Sequence, residues 1–517
     1  MISITPRDYQ QKIFETAKNR NTLVVLPTGL GKTLIALLLA IERLKKHPGS
    51  KILFLAPTRP LAEQHYAYFT KYLPELFADL QLFTGEVPAE KRQEIWQTAE
   101  VIFSTPQCVA NDLEKYRYDS HEVSLLIIDE AHRCLKNYDY TTVVEFYKKQ
   151  ALNERILGLT ASPGSDPEIV KQICMHLNIE EIEIRTRHSE DVKEYLQELE
   201  FKKVEVPFPQ EFIEIRVLLK RIWDSKVSIL KSKNYLVGPA NKITLLKLQA
   251  RLAMQVSRRN FAAMHGMSLT AQAIKISHAL ELLETQTLSG LNEYFNSLIK
   301  QAYEKKSKAV QSLVLLPEFN AARISLNYLL TKKVEHPKIE ELAELAENEF
   351  SINPQAKIIV FTQFRDTASV ISRRLSQITP IKSAIFVGQA KKKDTGLSQK
   401  EQKQIIEKFK SGEINVLIAT SIAEEGLDIP EVNAVIFYEP IPSAIRTIQR
   451  AGRTARLSPG KLIILITKDT RDEIHHYASA ARERKMYKTI HSIKDELEEK
   501  KKSPSLGNFT ETKEFKP

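Results

Sequence analysis

The chain reads as an α/β protein in which two parallel-sheet domains flank an all-helical domain inserted between them. Three observations predict this class. Short apolar runs alternate with longer helical stretches up to about residue 185, and the same alternation returns from about 341 to 480. Between them the chain is poor in glycine and rich in Leu, Lys, Ala and Ile, with breaks at Val206-Pro207, Gly238-Pro239 and His336-Pro337. At 517 residues it is too long for one core, and the expected divisions are 1–185, 186–340, 341–480 and 481–517, the last a helix followed by a disordered tail.

The apolar runs at 23–26, 52–56, 101–104, 125–128 and 156–159 are the expected strands of the first sheet. Parallel sheets bind ligands at the carboxyl ends of their strands, and a polar cluster follows each run. In order these are Pro27-Thr28-Gly29-Leu30-Gly31-Lys32-Thr33, Pro57-Thr58-Arg59, Thr105-Pro106-Gln107, Asp129-Glu130-Ala131-His132 and Thr160-Ala161-Ser162-Pro163-Gly164. The second set of runs, 358–361, 385–387, 416–419, 434–437 and 462–466, is followed by Thr362-Gln363-Phe364-Arg365, Gly388-Gln389 and the stretch from Thr420 to Asp428.

The first cluster has the chemistry of a phosphate cradle. Gly29 and Gly31 let backbone N–H groups turn inward, the following helix presents its positive dipole end, Lys32 can reach the β- and γ-phosphates, and Thr33 can hold Mg²⁺ through its hydroxyl. The general pattern has glycine where this chain has Leu26, so a plain glycine turn before a buried helix is the competing reading. The acidic pair Asp129-Glu130 after a second buried strand argues against it.

Composition narrows the function. With 43% hydrophobic and 27% charged residues the chain has a globular composition. No run approaches the ~18 apolar residues that cross a bilayer, and residues 1–7 lack a signal-peptide layout, so no membrane partner and a cytoplasmic location are expected. Cys108, Cys134 and Cys174 are too widely spaced for a disulfide framework or zinc site. The net charge of +11 favours a polyanionic partner. From Lys220 to Lys275 eleven Lys and Arg face one acidic residue, Asp224, which places the basic excess in the helical insertion. Lys247, Arg251, Arg258 and Arg259 are the expected phosphate contacts there, against the alternative of a solvated basic face.

As an ordered set, from Arg7 to Arg456, these motifs resemble those of superfamily 2 helicases. With the helical insertion and the final Gln449-Arg450-Ala451-Gly452-Arg453-Thr454-Ala455-Arg456, the chain is similar to the archaeal Hef helicases and their FANCM relatives. The resemblance implies two RecA-like motor domains, ATP and Mg²⁺ as cofactors, a DEAH-type acidic motif, and branched DNA such as stalled forks and Holliday junctions as substrate, in DNA repair. It implies that Asp129 positions Mg²⁺, Glu130 polarises the attacking water, and Arg453 and Arg456 act as arginine fingers with Gln449 beside them. Arg7 and Gln10 would read adenine, with Thr28, Gly426 and Asp428 completing the nucleotide site. Thr58, Arg59, Thr105, Thr362, Gln389 and Thr420 would hold successive phosphates of one strand, although each threonine alone is also a common helix cap. His132, Thr160 and Ser162 would transmit closure of the cleft.

The chain departs from the family in two ways. Ala455 replaces the usual glycine between the last arginines, with both fingers retained. Glu483-Arg484-Lys485 does not complete the family's nuclease motif, because Thr489 stands where the family has aspartate, and no nuclease activity is expected. The tail segment 503–510 weakly resembles a sliding-clamp docking peptide, with Ser503 in place of glutamine and Thr510 in place of an aromatic residue. The preferred reading is a tail without a partner. The alternatives to a DNA translocase are a double-stranded RNA translocase and, ranked lower, a clamp that ATP switches without motor activity.

Overall fold

The computed structural model describes residues 4–502 except 74–76, 137, 259, 261–262, 389–395, 424–428, 444–449, 453 and 455–458. The expected contacts Arg259, Gln389, Gly426, Asp428, Gln449, Arg453 and Arg456, and the tail with its clamp-like segment, lie outside the described residues.

Among the described residues, seven strands form the first sheet: β1 (Thr22–Val25), β2 (Lys51–Leu55), β3 (Leu80–Phe83), β4 (Val101–Ser104), β5 (Val123–Ile128), β6 (Ile156–Thr160) and β7 (Glu181–Ile184). Their order is β3-β4-β2-β5-β6-β1-β7, and every pair is parallel. The central strands are buried along their whole length because helices cover both faces, so their sequences are continuous apolar runs. Edge strands β3 and β7 are only partly buried, and β7 alternates as Glu-Ile-Glu-Ile. That alternation is why the apolar runs reveal five strands and the sheet has seven.

The second sheet contains β8 (Leu199–Val206), β9 (Ile358–Phe361), β10 (Ser383–Phe386), β11 (Val416–Ala419), β12 (Ala434–Phe437) and β13 (Gly460–Thr467). It is parallel throughout in the order β10-β11-β9-β12-β13-β8. Strand β8 corrects the expectation that 186–340 is all helical. It pairs with β13 over eight residues, from Leu199 opposite Gly460 to Val206 opposite Thr467, and so belongs to the second sheet before the chain enters the insertion. Its largely exposed Leu-Glu-Phe-Lys-Lys-Val-Glu-Val pattern suits an edge strand.

The insertion proper is helical. Helices Ile213–Ser232, Ala263–Thr285, Leu288–Tyr303 and Pro317–Thr331 close around Leu219, Ile276, Leu283, Phe295 and Phe319. The helix Lys242–Ser257 packs through Leu245, Leu248 and Leu252 onto a smaller core with Leu230 and Leu269.

A buried polar hub joins the insertion to the second sheet. Lys338 Nζ lies 2.8 Å from Asp472 Oδ2 with both side chains fully buried, donates to Thr285 O at 2.7 Å, and stands 4.6 Å from the Tyr438 ring centroid. Asp472 Oδ2 also accepts Thr467 N–H. Nearby, Thr367 Oγ1 donates to Gln286 Oε1 at 2.9 Å, and Glu439 accepts from Gln363 N–H and the Thr362 hydroxyl. Burial pushes the Glu439 carboxyl up to about 7 even though Lys338 and Arg450 pull it down. The unfolded chain releases that proton near the ordinary 4.5, so between these values the folded protein binds more protons. Stability is therefore expected to fall as pH rises across this window, and Glu439→Gln should flatten the decline in chemical-denaturation midpoints measured at pH 5, 6, 7 and 8.

The C-terminal helix, Arg471–Lys502, begins at this hub and ends on the other sheet. Its Met486, Ile490 and Ile493 are buried in the core of the first sheet domain, with Ser162 Oγ 2.9 Å from Met486 Sδ. Lys171 and Glu496 pair at 2.9 Å beyond them.

Candidate nucleotide site

The loop after β1 owes its shape to two glycines. Gly29 and Gly31 have φ of +86° and +78°, in the left-handed region that side chains rarely adopt, and Gly31 caps the helix Lys32–Lys46. A methyl group at Gly31 would also strike the Gln10 amide. Gln10 thus meets the loop, and Arg7 is tied to Gln10. Gln10 Nε2 and Tyr9 Oη both donate to Leu30 O, at 3.1 and 2.9 Å, while Arg7 N–H donates to Gln10 Oε1 at 2.9 Å. The Arg7 guanidinium lies 4.9 Å over the Tyr195 ring. Lys32 Nζ folds back to donate to Leu26 O at 2.9 Å. Thr28 is half-buried on the same loop.

The acidic pair sits at the end of β5, beside this loop. Burial would raise the Asp129 carboxyl, but His65 and Lys32 hold it below the ordinary value, so it is ionised. His65, which no motif of the sequence marks, stands between the two expected metal residues: Nε2 is 2.9 Å from Asp129 Oδ2, and Nδ1 is 3.5 Å from Thr33 Oγ1. Glu130 has φ of +49°, and its buried Oε2 lies 3.2 Å from His132 Nδ1 without forming a hydrogen bond. His132 Nδ1 is also 3.2 Å from Thr160 Oγ1, which accepts Ser162 N–H at 3.1 Å. Among the described residues no three His, Cys, Asp or Glu cluster to hold a metal by themselves. Hydroxyl and carboxylate oxygens with an unspent buried acceptor nevertheless fit Mg²⁺, which takes few protein ligands alongside phosphates and water.

The residues of the expected phosphate track fall at the following places. Thr58 carries a buried hydroxyl without a partner at the end of β2, and Thr105 begins the helix Pro106–Glu114 after β4. The Thr105 hydroxyl donates to Cys108 Sγ at 3.4 Å, and two residues are claimed by carboxylates. Arg59 pairs with Glu63 at 2.6 Å and with Glu86, and Lys403 of the second sheet domain reaches the same Glu63 at 3.0 Å. Thr362 is fully buried and its hydroxyl is engaged by Glu439. Sequence spacing could not show either, because the carboxylates that claim them lie outside their motifs. Thr420, after β11, is 7% exposed. On the insertion, Lys247, Arg251 and Arg258 are exposed, with Arg251 donating to Tyr235 O.

Residues 7–170 match the DEAD/DEAH box helicase family, and residues 337–458 match the helicase conserved C-terminal domain. The crystal structure of the Pyrococcus furiosus Hef helicase domain is 41% identical to this chain, with a TM-score of 0.70, covering 92% of this chain and 98% of that one. The chain belongs to the Hef-type helicases. Between its two helicase domains, residues 211–335 match a helical-bundle family whose name provisionally places it in an ATP-dependent RNA helicase. MJ1505 of Methanocaldococcus jannaschii, provisionally named an ATP-dependent RNA helicase, is 38% identical to this Hef-type chain over 493 residues, covering 95% of it and 61% of the relative. The ATP-dependent DNA helicase mph1 of Neurospora crassa is 35% identical over 485 residues, covering 90% and 41%. The chain thus spans 61% and 41% of the lengths of these curated relatives. The expected class, two parallel-sheet domains around a helical one, is that of the family.

Proposed function

We propose that this Hef-type chain couples ATP hydrolysis to movement along DNA, with branched duplexes such as forks and junctions as preferred substrates. The carrying observation is the meeting of the glycine loop, Thr33, Asp129 and Glu130 at the strand ends of one sheet. In this reading Lys32 leaves Leu26 O for the β- and γ-phosphates, and Arg7 and Gln10 hold the base. Thr33 and Asp129 would hold Mg²⁺, which when bound with nucleotide neutralises charge on the transferring phosphoryl group. Glu130 has the unspent acceptor needed to take a proton from water. Arg453, Arg456 and Gln449 are the groups proposed to complete the site from the second domain. Thr58, Thr105 and Thr420 are proposed phosphate contacts, and Lys247, Arg251 and Arg258 those of the insertion.

The name of mph1 supports DNA, and those of MJ1505 and the helical-bundle family favour the second reading, an RNA translocase. ATP hydrolysis measured without nucleic acid, then with duplex DNA, forked DNA and a matched forked RNA at one fixed salt concentration, separates them. Strongest stimulation by forked DNA is expected. Strongest stimulation by RNA would overturn the substrate and keep the motor. Binding without stimulated hydrolysis would favour an ATP-switched clamp.

A further inference from the structure

His65 lies on the helix Arg59–Tyr72, which follows β2, and its side chain is 9% exposed. Its ring packs on Phe54, with centroids 4.4 Å apart and planes 32° apart, and Phe54 in turn stacks on Phe103. Rotation of the imidazole is therefore restricted by the sheet beneath it. Nε2 faces the Asp129 carboxylate at 2.9 Å, where an imidazole N–H can donate to it. Nδ1 faces the Thr33 hydroxyl on the other side of the ring, 3.5 Å away.

Besides His65, the Glu130 backbone and the Lys32 charge act on the Asp129 carboxylate, and two further bonds hold its backbone. Its N–H donates to Leu55 O at 2.9 Å and its carbonyl accepts the Tyr140 hydroxyl at 2.7 Å. These bonds fix where the residue sits. Among the described residues, His65 is the side chain placed at hydrogen-bond distance from the carboxylate, and with the Glu130 backbone it sets how the carboxylate is turned. One ring thereby touches both residues expected at the metal, which lie on different elements of the sheet domain.

We propose that His65 is a positioning residue of the magnesium site, an imidazole that orients Asp129 from Nε2 and Thr33 from Nδ1. The inference rests on the reading of Thr33 and Asp129 given under the proposed function. A buried histidine that only fills space under the helix would use the same ring stack, so the test must remove the hydrogen bonds and keep the packing. His65→Phe does this.

Binding of a fluorescent ADP analogue would be titrated against Mg²⁺ for wild type, His65→Phe and Asp129→Asn, with parallel titrations in EDTA and thermal unfolding of each protein. His65→Phe is expected to raise the Mg²⁺ half-saturation concentration by about tenfold or more, with affinity in EDTA unchanged. A shift in Asp129→Asn with none in His65→Phe overturns the role of His65. Equal weakening with and without Mg²⁺ also overturns it, because the histidine then supports only the fold. No shift in Asp129→Asn overturns the metal-site reading itself. If His65→Phe does not fold, His65→Gln is read in the same way, with an expected shift of about threefold, since its amide can replace one hydrogen bond and not both.

Discussion

Lys32→Ala is expected to lower DNA-stimulated ATP hydrolysis by about 10²–10³-fold, the usual consequence of removing one donor aimed at developing charge. In the structure the ammonium is already held above the loop by Leu26 O, 2.9 Å away, and needs only a side-chain rotation to meet a phosphate. The fold has little stake in that bond, so thermal unfolding of the variant should stay close to wild type. Lys32→Arg should not rescue, because a planar guanidinium cannot replace a compact charge in a cradle built by Gly29 and Gly31. Steady-state hydrolysis at saturating DNA checks both variants. Wild-type rates in Lys32→Ala would place the phosphate chemistry elsewhere.

Asp472→Ala is expected to cost about 3–5 kcal/mol of stability, since it strands the Lys338 ammonium in a fully buried position. Lys338 would keep the Thr285 carbonyl, the Tyr438 ring and the more distant charge of Glu439, and Thr467 N–H would lose its acceptor. The double variant Lys338→Met, Asp472→Asn removes both charges while keeping an acceptor for Thr467. It should recover at least half of the loss in denaturant midpoint. A single variant as stable as wild type would show that water enters the hub.

What the sequence reveals and what it conceals follow from burial and distance. β5, Val-Ser-Leu-Leu-Ile-Ile, is legible because both of its faces are covered. β7 and β8 are not, because exposed edges permit charged residues among the apolar ones. The phosphate loop is legible because only glycine adopts the φ of Gly29 and Gly31 without strain. Arg59 and Thr362 follow strand ends, where phosphates are expected, yet their partners Glu86 and Glu439 are supplied by other segments of the fold. His65 acquires its meaning only from Asp129, 64 residues further along the chain. A single histidine in an amphipathic helix carries no mark of such a neighbour.

The helix Arg471–Lys502 sets the kinematics of the two sheets. Asp472 is locked into the hub and Met486 into the first domain, and the span between them is about 21 Å at a rise of roughly 1.5 Å per residue. A hydrogen-bonded helix resists stretching far more than it resists turning at its ends. A separation of the sheets along this strut would have to break one of its anchors, whereas a swing about it, with Ser162 beside the Met486 end, would not.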